Sequence, residues 1–161
     1  MRYFLLIIAV VMGQSVLAAD EVVIKDPIIR HALAKILKKP SGKFAPPLKF
    51  TKVELAKVDE LNLYGTKITD ASLKDVAKLT QLTELEMRGQ NITDEGLKEV
   101  AKLQKLTDLC LDETQITDAS FKEVAKLQQL ELLELQFTKI TQAGVAELQK
   151  ALPKCDIDSD F

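Results

Sequence analysis

The stretch VDELNLYGTKITDASLKDVAKLTQ, Val58–Gln81, decides the fold, because its pattern returns from Leu82, from Leu106 and from Leu130. At this 24-residue spacing Leu61, Leu85, Leu109 and Leu133 share one column. Leu63, Met87, Leu111 and Leu135 share a second, and Ile68, Ile92, Ile116 and Ile140 a third. Thr69, Thr93, Thr117 and Thr141 follow, and then Asp70, Asp94, Asp118 and Gln142. Self-similarity at a fixed period of this length marks a stack of repeats.

Within each unit the hydrophobic period changes. Leu-x-x-Leu-x-Leu alternates, so a short strand points its leucines one way and the intervening residues the other. Thr-Asp then starts a helix, and the Asp side chain is expected to accept from the first free N–H groups of that helix. Leu73, Val76 and Ala77, with their copies Leu97, Val100, Ala101 and Phe121, Val124, Ala125, make one apolar stripe at i, i+3, i+4. One unit cannot bury both faces alone, and about three are needed for stability. Four units and two end caps satisfy that condition.

The unit resembles the leucine-rich repeat, in the variety carrying Thr-Asp-Ala-Gly-Leu that is common in exported bacterial proteins and related to repeats of eukaryotic F-box proteins. The resemblance covers Val58 to Pro153. It implies a right-handed α/β solenoid with a parallel sheet on the concave face and helices on the convex face. It also implies a protein-binding module without catalysis or cofactor. One departure concerns the loop after the strand, where the family's asparagine is replaced by Thr66, Gln90, Thr114 and Thr138. Other groups must then make the loop hydrogen bonds.

The chain outward from the repeats divides into residues 1–19 as an export signal, 20–57 as cap and partial repeat, 58–153 as repeats, and 154–161 as a closing strand and tail. Arg2, the apolar run from Tyr3 to Met12 and the small residues before Asp20 describe a secretory signal, cut near Ala18 or Ala19. The apolar run is about half of the roughly 20 residues that a spanning helix needs. The protein is therefore expected outside the cytoplasm, with an uncleaved anchor as the alternative.

Asp26-Pro27 opens a helix with Ile28, Ile29, Ala32, Leu33, Ile36 and Leu37 on one stripe and lysines near its end. It resembles the N-terminal helical cap of internalin-like proteins. A basic amphipathic helix lying on an anionic membrane is the competing reading, and not the favoured one. A partial repeat is expected at Val53, Leu55 and Val58. At the other end Gln149 replaces the alanine of the stripe, Pro153 ends the helix, and Cys155 to Ile157 resembles a closing strand.

The 161 residues are 47% apolar and 29% charged, with two cysteines and a net charge of −2. This composition excludes a disordered tail, a collagen-like fibre, a disulfide framework and a multi-span membrane protein. The charge is unevenly spread. Lys25 to Lys57 holds nine basic and two acidic residues, whereas Val58 to Phe161 holds twelve basic and twenty acidic. Lysines of the helical columns (Lys78, Lys102, Lys126, Lys150) stand three residues from Asp75, Glu99, Glu123 and Glu147, as ordinary surface pairs. A nucleic-acid stripe needs basic charge without adjacent acids, so nucleic acid is excluded.

The outward strand residues form three columns: Glu60, Glu84, Asp108, Leu132; Asn62, Glu86, Cys110, Glu134; and Tyr64, Arg88, Asp112, Gln136. Six of the twelve are acidic and one is basic, which favours a protein partner of basic character. Tyr64, Glu84, Glu86, Arg88, Asp108, Asp112, Leu132, Glu134, Gln136 and Phe137 are the candidate partner-binding residues, with Tyr64 and Arg88 as anchor types. Leu132 and Phe137 form an apolar pair that is either a contact patch or covered by the tail. Calcium or paired catalytic carboxylates around Glu84, Glu86 and Asp108 are disfavoured, because an open sheet rarely converges tightly enough. A single histidine, His31, and no cysteine cluster leave no zinc site of the usual spacing. Cys110 is expected to face the concave surface and Cys155 to be buried, two strands apart and unbridged. The Asn91-Ile-Thr93 sequon shares its threonine with the repeat and carries little weight. No metal, cofactor or catalytic residue is assigned, and a monomer is expected.

Overall fold

The computed structural model describes residues 20–40, 48–89 and 91–161. The expected export signal lies outside the described residues. Strands β1 (Glu21–Val22) and β2 (Phe50–Thr51) pair antiparallel around helix α1 (Pro27–Ile36) and lead to the one-turn helix α2 (Lys52–Leu55). The repeats follow as β3 (Glu60–Asn62), α3 (Asp70–Val76), β4 (Glu84–Glu86), α4 (Asp94–Val100) and β5 (Asp108–Cys110). A 3₁₀ turn (Asp118–Ser120), α5 (Phe121–Val124), β6 (Leu132–Glu134), α6 (Gln142–Ala151) and β7 (Asp156–Asp158) complete the chain. Strands β3 to β7 form one parallel sheet in sequential order, each residue opposite its copy in the next repeat. The molecule is an α/β repeat solenoid, with sheet inside the curve and helices outside.

The core is the columns themselves. Leu61, Leu85, Leu109 and Leu133 are buried, as are Leu63, Met87, Leu111, Leu135 and the four isoleucines. Each fully buried Leu is worth about 1.5–3 kcal/mol over an exposed one. The loop after the strand solves its hydrogen bonds with threonine. Thr66, Thr114 and Thr138 each donate the side-chain hydroxyl to the carbonyl three residues earlier, at 2.6, 2.6 and 2.8 Å. Gln90 lies outside the described residues.

The aspartates act differently from the sequence expectation. The N-cap is the preceding threonine: Thr93, Thr117 and Thr141 accept from backbone N–H groups of their own helices. The Asp side chain turns to the next repeat instead. Asp70 accepts from the Thr93 N–H at 2.9 Å and the Thr93 hydroxyl at 2.7 Å. Asp94 holds Thr117 at 2.8 and 2.7 Å, and Asp118 holds Thr141 at 2.9 and 2.7 Å. In the fourth repeat Gln142 stands in place of this aspartate. Room for each carboxylate comes from a small residue. A Cβ on Gly96 would collide with Asp70 Oδ1 and Leu73 Cδ1, and one on Gly144 with Asp118 Oδ1 and Phe121.

The N-terminal end closes on the first repeat. Asp26 caps α1 by accepting from Ile28 and Ile29, and also accepts from the Ser72 hydroxyl at 2.7 Å. Ile29 and Leu33 are fully buried in the common core, so the apolar stripe of α1 lies against the first repeat, with Ile36 left exposed. Asp75 departs from its column. Glu99 and Glu123 pair with lysines on the surface, but Asp75 is buried. It accepts from the backbone N–H groups of Lys25 and Asp26 at 2.7 and 2.6 Å and pairs with Lys78, whose ammonium reaches the Val23 carbonyl. Burial pushes its carboxyl up, but these bonds outweigh that and hold it below the usual range.

The expected partial repeat forms in part. Leu55 and Val58 are buried in the columns of Leu79 and Leu82, but Val53 is exposed. The cause is local: Thr51 and Glu54 form a reciprocal capping box that turns residues 52–55 into a helix. At the far end β7 closes the sheet, and the Gln149 amide donates to the Leu152 and Cys155 carbonyls left free where the chain leaves α6.

Replacing Asp94 by Ala removes two bonds to Thr117 and is expected to cost about 2 kcal/mol of unfolding free energy in urea titration. Gly96→Ala, which forces Asp70 aside, is expected to cost about 1–3 kcal/mol. Wild-type stability in both variants would show that the inter-repeat carboxylates carry no weight.

Candidate concave-face binding site

The concave face is built from the residues between the leucines, and neighbouring strands set its columns about 4.8 Å apart. Glu60, Glu84 and Asp108 stand directly opposite one another on β3, β4 and β5, followed by Leu132 on β6. None of the three carboxylates has an ion-pair partner among the described residues. Like charges opposite one another on a sheet are destabilising. The Glu84 carboxyl is accordingly pushed above its ordinary value, by Glu60 first, then by partial dehydration and by Asp108 and Asp59.

The second and third columns compensate internally. Asn62 donates to Glu86, and Glu86 lies 3.6 Å from Arg88. The Arg88 guanidinium lies 3.4 Å from Asp112 and 5.3 Å from the centre of the Tyr64 ring. Gln136 donates its amide to Asp158 at 2.8 Å. Arg88, an anchor type by sequence, is held here as the counter-ion of its neighbours.

Asp112 is corrected outright. It is only 6% exposed, and its carboxylate accepts the Gln136 backbone N–H at 2.8 Å. Glu113 adopts a left-handed backbone, φ 60°, and the chain at this turn brings Asp112 under the following loop. Its oxygens are turned to the Gln136 backbone and to Arg88 and not to solvent. Cys110 lies in the outward column as expected, opposite Glu86 and Glu134, but its neighbours cover its side chain, which is buried. Burial pushes its thiol up to about 12, a backbone N–H at Asp112 works against this, and the Glu134 and Asp112 carboxylates add to it. Cys155 is buried and pushed up to about 11. Both thiols are unbridged.

Cys110, Asp112 and Glu134 bring their ligand atoms within 4.8 Å of one another, a grouping that the sequence spacing does not reveal. Arg88 already supplies positive charge to Asp112 here, and the thiol is protonated at neutral pH. The disfavoured trio Glu84, Glu86 and Asp108 lines something else. With Leu132 and Glu134 it rings a hollow of about 210 Å³, floored by Leu85, Leu109 and Cys110. Its rim carries four carboxylates, and one wall is apolar.

Two aromatic residues of the turns that follow β3 and β6 are exposed. Tyr64 is 62% and Phe137 71% exposed. Phe137 occupies the position of Gly65 and Gly89 with φ 56°, a conformation that a bulky residue rarely adopts. The tail does reach this turn, because Asp160 accepts the Phe137 N–H at 2.8 Å, but it leaves the ring open. Phe161 is exposed as well.

Residues 78–101 match the family model described as "Leucine Rich repeat". No curated protein matches the sequence. Among solved structures, the chain is similar to a leucine-rich-repeat protein of Leptospira interrogans at 27% identity and TM-score 0.48, covering 78% of this chain and 39% of that one. It thus spans about two fifths of that protein's length. It is also similar to an internalin C2 of Listeria monocytogenes, at 15% identity and TM-score 0.36, covering 88% and 89% of the two chains. An internalin, inlF, of the same organism aligns at 15% identity and TM-score 0.38, covering 83% and 56%.

Raised above its ordinary value of 4.5, Glu84 binds its proton more tightly folded than unfolded. Its penalty is absent in acid and grows as pH rises through the folded value. Glu84→Gln is expected to raise the melting temperature at pH 7 and to lose that advantage near pH 3. An equal gain at both pH values would remove the electrostatic explanation. The thiols give a separate check: neither is expected to react with Ellman's reagent at pH 8 until the chain unfolds. A fast phase of one thiol in the folded protein would show that Cys110 is open to solvent.

Proposed function

We propose that the protein is an exported protein-interaction module, without catalysis, that binds a basic partner protein through its concave face. One observation carries the reading: the hollow of about 210 Å³ ringed by Glu84, Glu86, Asp108 and Glu134 beside Leu132. A lysine or arginine side chain of a partner fits that chemistry. Its methylenes lie along Leu132, and its charge offsets the repulsion among Glu60, Glu84 and Asp108. Phe137 supplies an exposed aromatic contact of the kind that interfaces concentrate at hot spots. Export rests on the sequence pattern of residues 1–19, with cleavage near Ala18 or Ala19 and a monomeric mature chain that begins with the cap.

The test is affinity capture from an envelope extract of the source cells. One bait is the mature chain, and the other carries Glu84→Lys and Asp108→Lys, both verified as folded by circular dichroism. The expected result is a basic protein held by the first bait and lost from the second. Equal capture by both would move the site off the concave face. N-terminal sequencing of the native protein is expected to begin at Ala19 or Asp20, and a start at Met1 would overturn cleavage.

A further inference from the structure

The charge of the molecule reverses at its N-terminal end. Between α1 and the first repeat runs an open-sided groove of about 740 Å³. Ile28 and Ala32 of α1 line one wall, and Tyr64 with Thr66 lines the other. Lys35, Lys67 and His31 stand along it, and no carboxylate lines it. Lys35 and Lys67 have no acidic partner among the described residues, unlike Lys39, Lys49, Lys78, Lys98, Lys102 and Lys126. Asn62 brings the groove to β3, which among the described residues is the edge strand of the sheet.

We propose that this groove docks an extended acidic segment of a partner protein, and that it is a second binding site distinct from the acidic hollow. An apolar side chain of the segment enters between Ile28, Ala32 and the Tyr64 ring, and its flanking carboxylates meet Lys35 and Lys67. Three features select this occupant. The volume exceeds what one side chain fills and lies in the range of ligand sites, roughly 300–1,000 Å³. Two cations without partners beside an apolar floor call for an anion with an apolar body. The open side and the neighbouring strand edge suit a chain that runs through, as peptides do along unpaired edges. Basic partners, which the concave face attracts, are repelled here, so electrostatic complementarity separates the two sites.

The experiment selects eight-residue peptides from a random display library on the chain from Asp20 onward. To isolate the groove, the bait carries Glu84→Lys and Asp108→Lys, which remove the attraction for basic peptides. The best peptide is then synthesised with a fluorescent label and titrated by fluorescence anisotropy. Enriched peptides are expected to place aspartate or glutamate around an apolar residue. Binding is expected to weaken at least tenfold in Lys35→Glu/Lys67→Glu and again between 50 and 300 mM salt. Tyr64→Ala, an exposed change, is expected to weaken it as well, and circular dichroism checks that each variant is folded. Selection of neutral or basic peptides, or of none, would overturn the proposal. So would acidic peptides whose affinity ignores the reversal at Lys35 and Lys67. Loss of the concave-face capture would leave this result untouched, because the bait already lacks that face.

Discussion

The grip of each repeat's aspartate on the threonine of the next repeat is the joint on which the stack depends. Strands of three residues and helices of at most ten cannot stand alone. Leucine columns supply most of the burial, but apolar contact is non-directional and does not by itself prescribe how two units align. The carboxylate does, since its two oxygens take the N–H and the hydroxyl of one residue together. The same contact caps nothing within its own helix, so its whole effect falls on the interface. Small residues at Gly96 and Gly144 are the matching half of the joint.

The ends improvise on the same chemistry. Before the first repeat there is no preceding Asp-Thr pair, and Asp26 bonds the Ser72 hydroxyl instead. Asp75 adds a second carboxylate that gathers the backbone N–H groups of Lys25 and Asp26. In the fourth repeat Gln142 and Gln149 replace residues of the repeat pattern, and the Gln149 amide donates to the Leu152 and Cys155 carbonyls.

The fold was legible because hydrophobic periodicity reports burial directly: every leucine column ended inside. Polar side chains were less legible, since their partners come from other units. An aspartate after a threonine reads equally well as a cap of its own helix or as a hook for the next, and only stacking decides. Asp75 looked like Glu99 and Glu123 by column, yet it alone faces the cap's free N–H groups. On the concave face, alternation placed Glu60, Glu84 and Asp108 correctly, because they lie within the three-residue strands. It failed at Asp112, which lies beyond the strand, where a left-handed turn begins and period-2 reasoning stops. The groove was invisible for a similar reason: Lys35 and Lys67 are 32 residues apart and line one groove only when α1 packs against the first repeat.

The electrostatic asymmetry follows from where compensation was possible. Arg88, the one base among the outward columns, is drawn to Glu86 and Asp112 and stacks near Tyr64, so it cannot reach the first column. That column keeps its repulsion, and the raised Glu84 carboxyl records it. Fixed strand spacing prevents the acids from moving apart, while the leucines beneath hold the strands in place. Relief must therefore come as a proton or as a cation from outside. The groove poses the opposite case, with Lys35 and Lys67 lacking acidic partners among the described residues. Charges that a fold leaves unmatched at fixed positions set which partners approach and how fast, more than how tightly they hold. Acids without partners on the sheet and bases without partners beside the cap thus give the chain two faces of opposite charge.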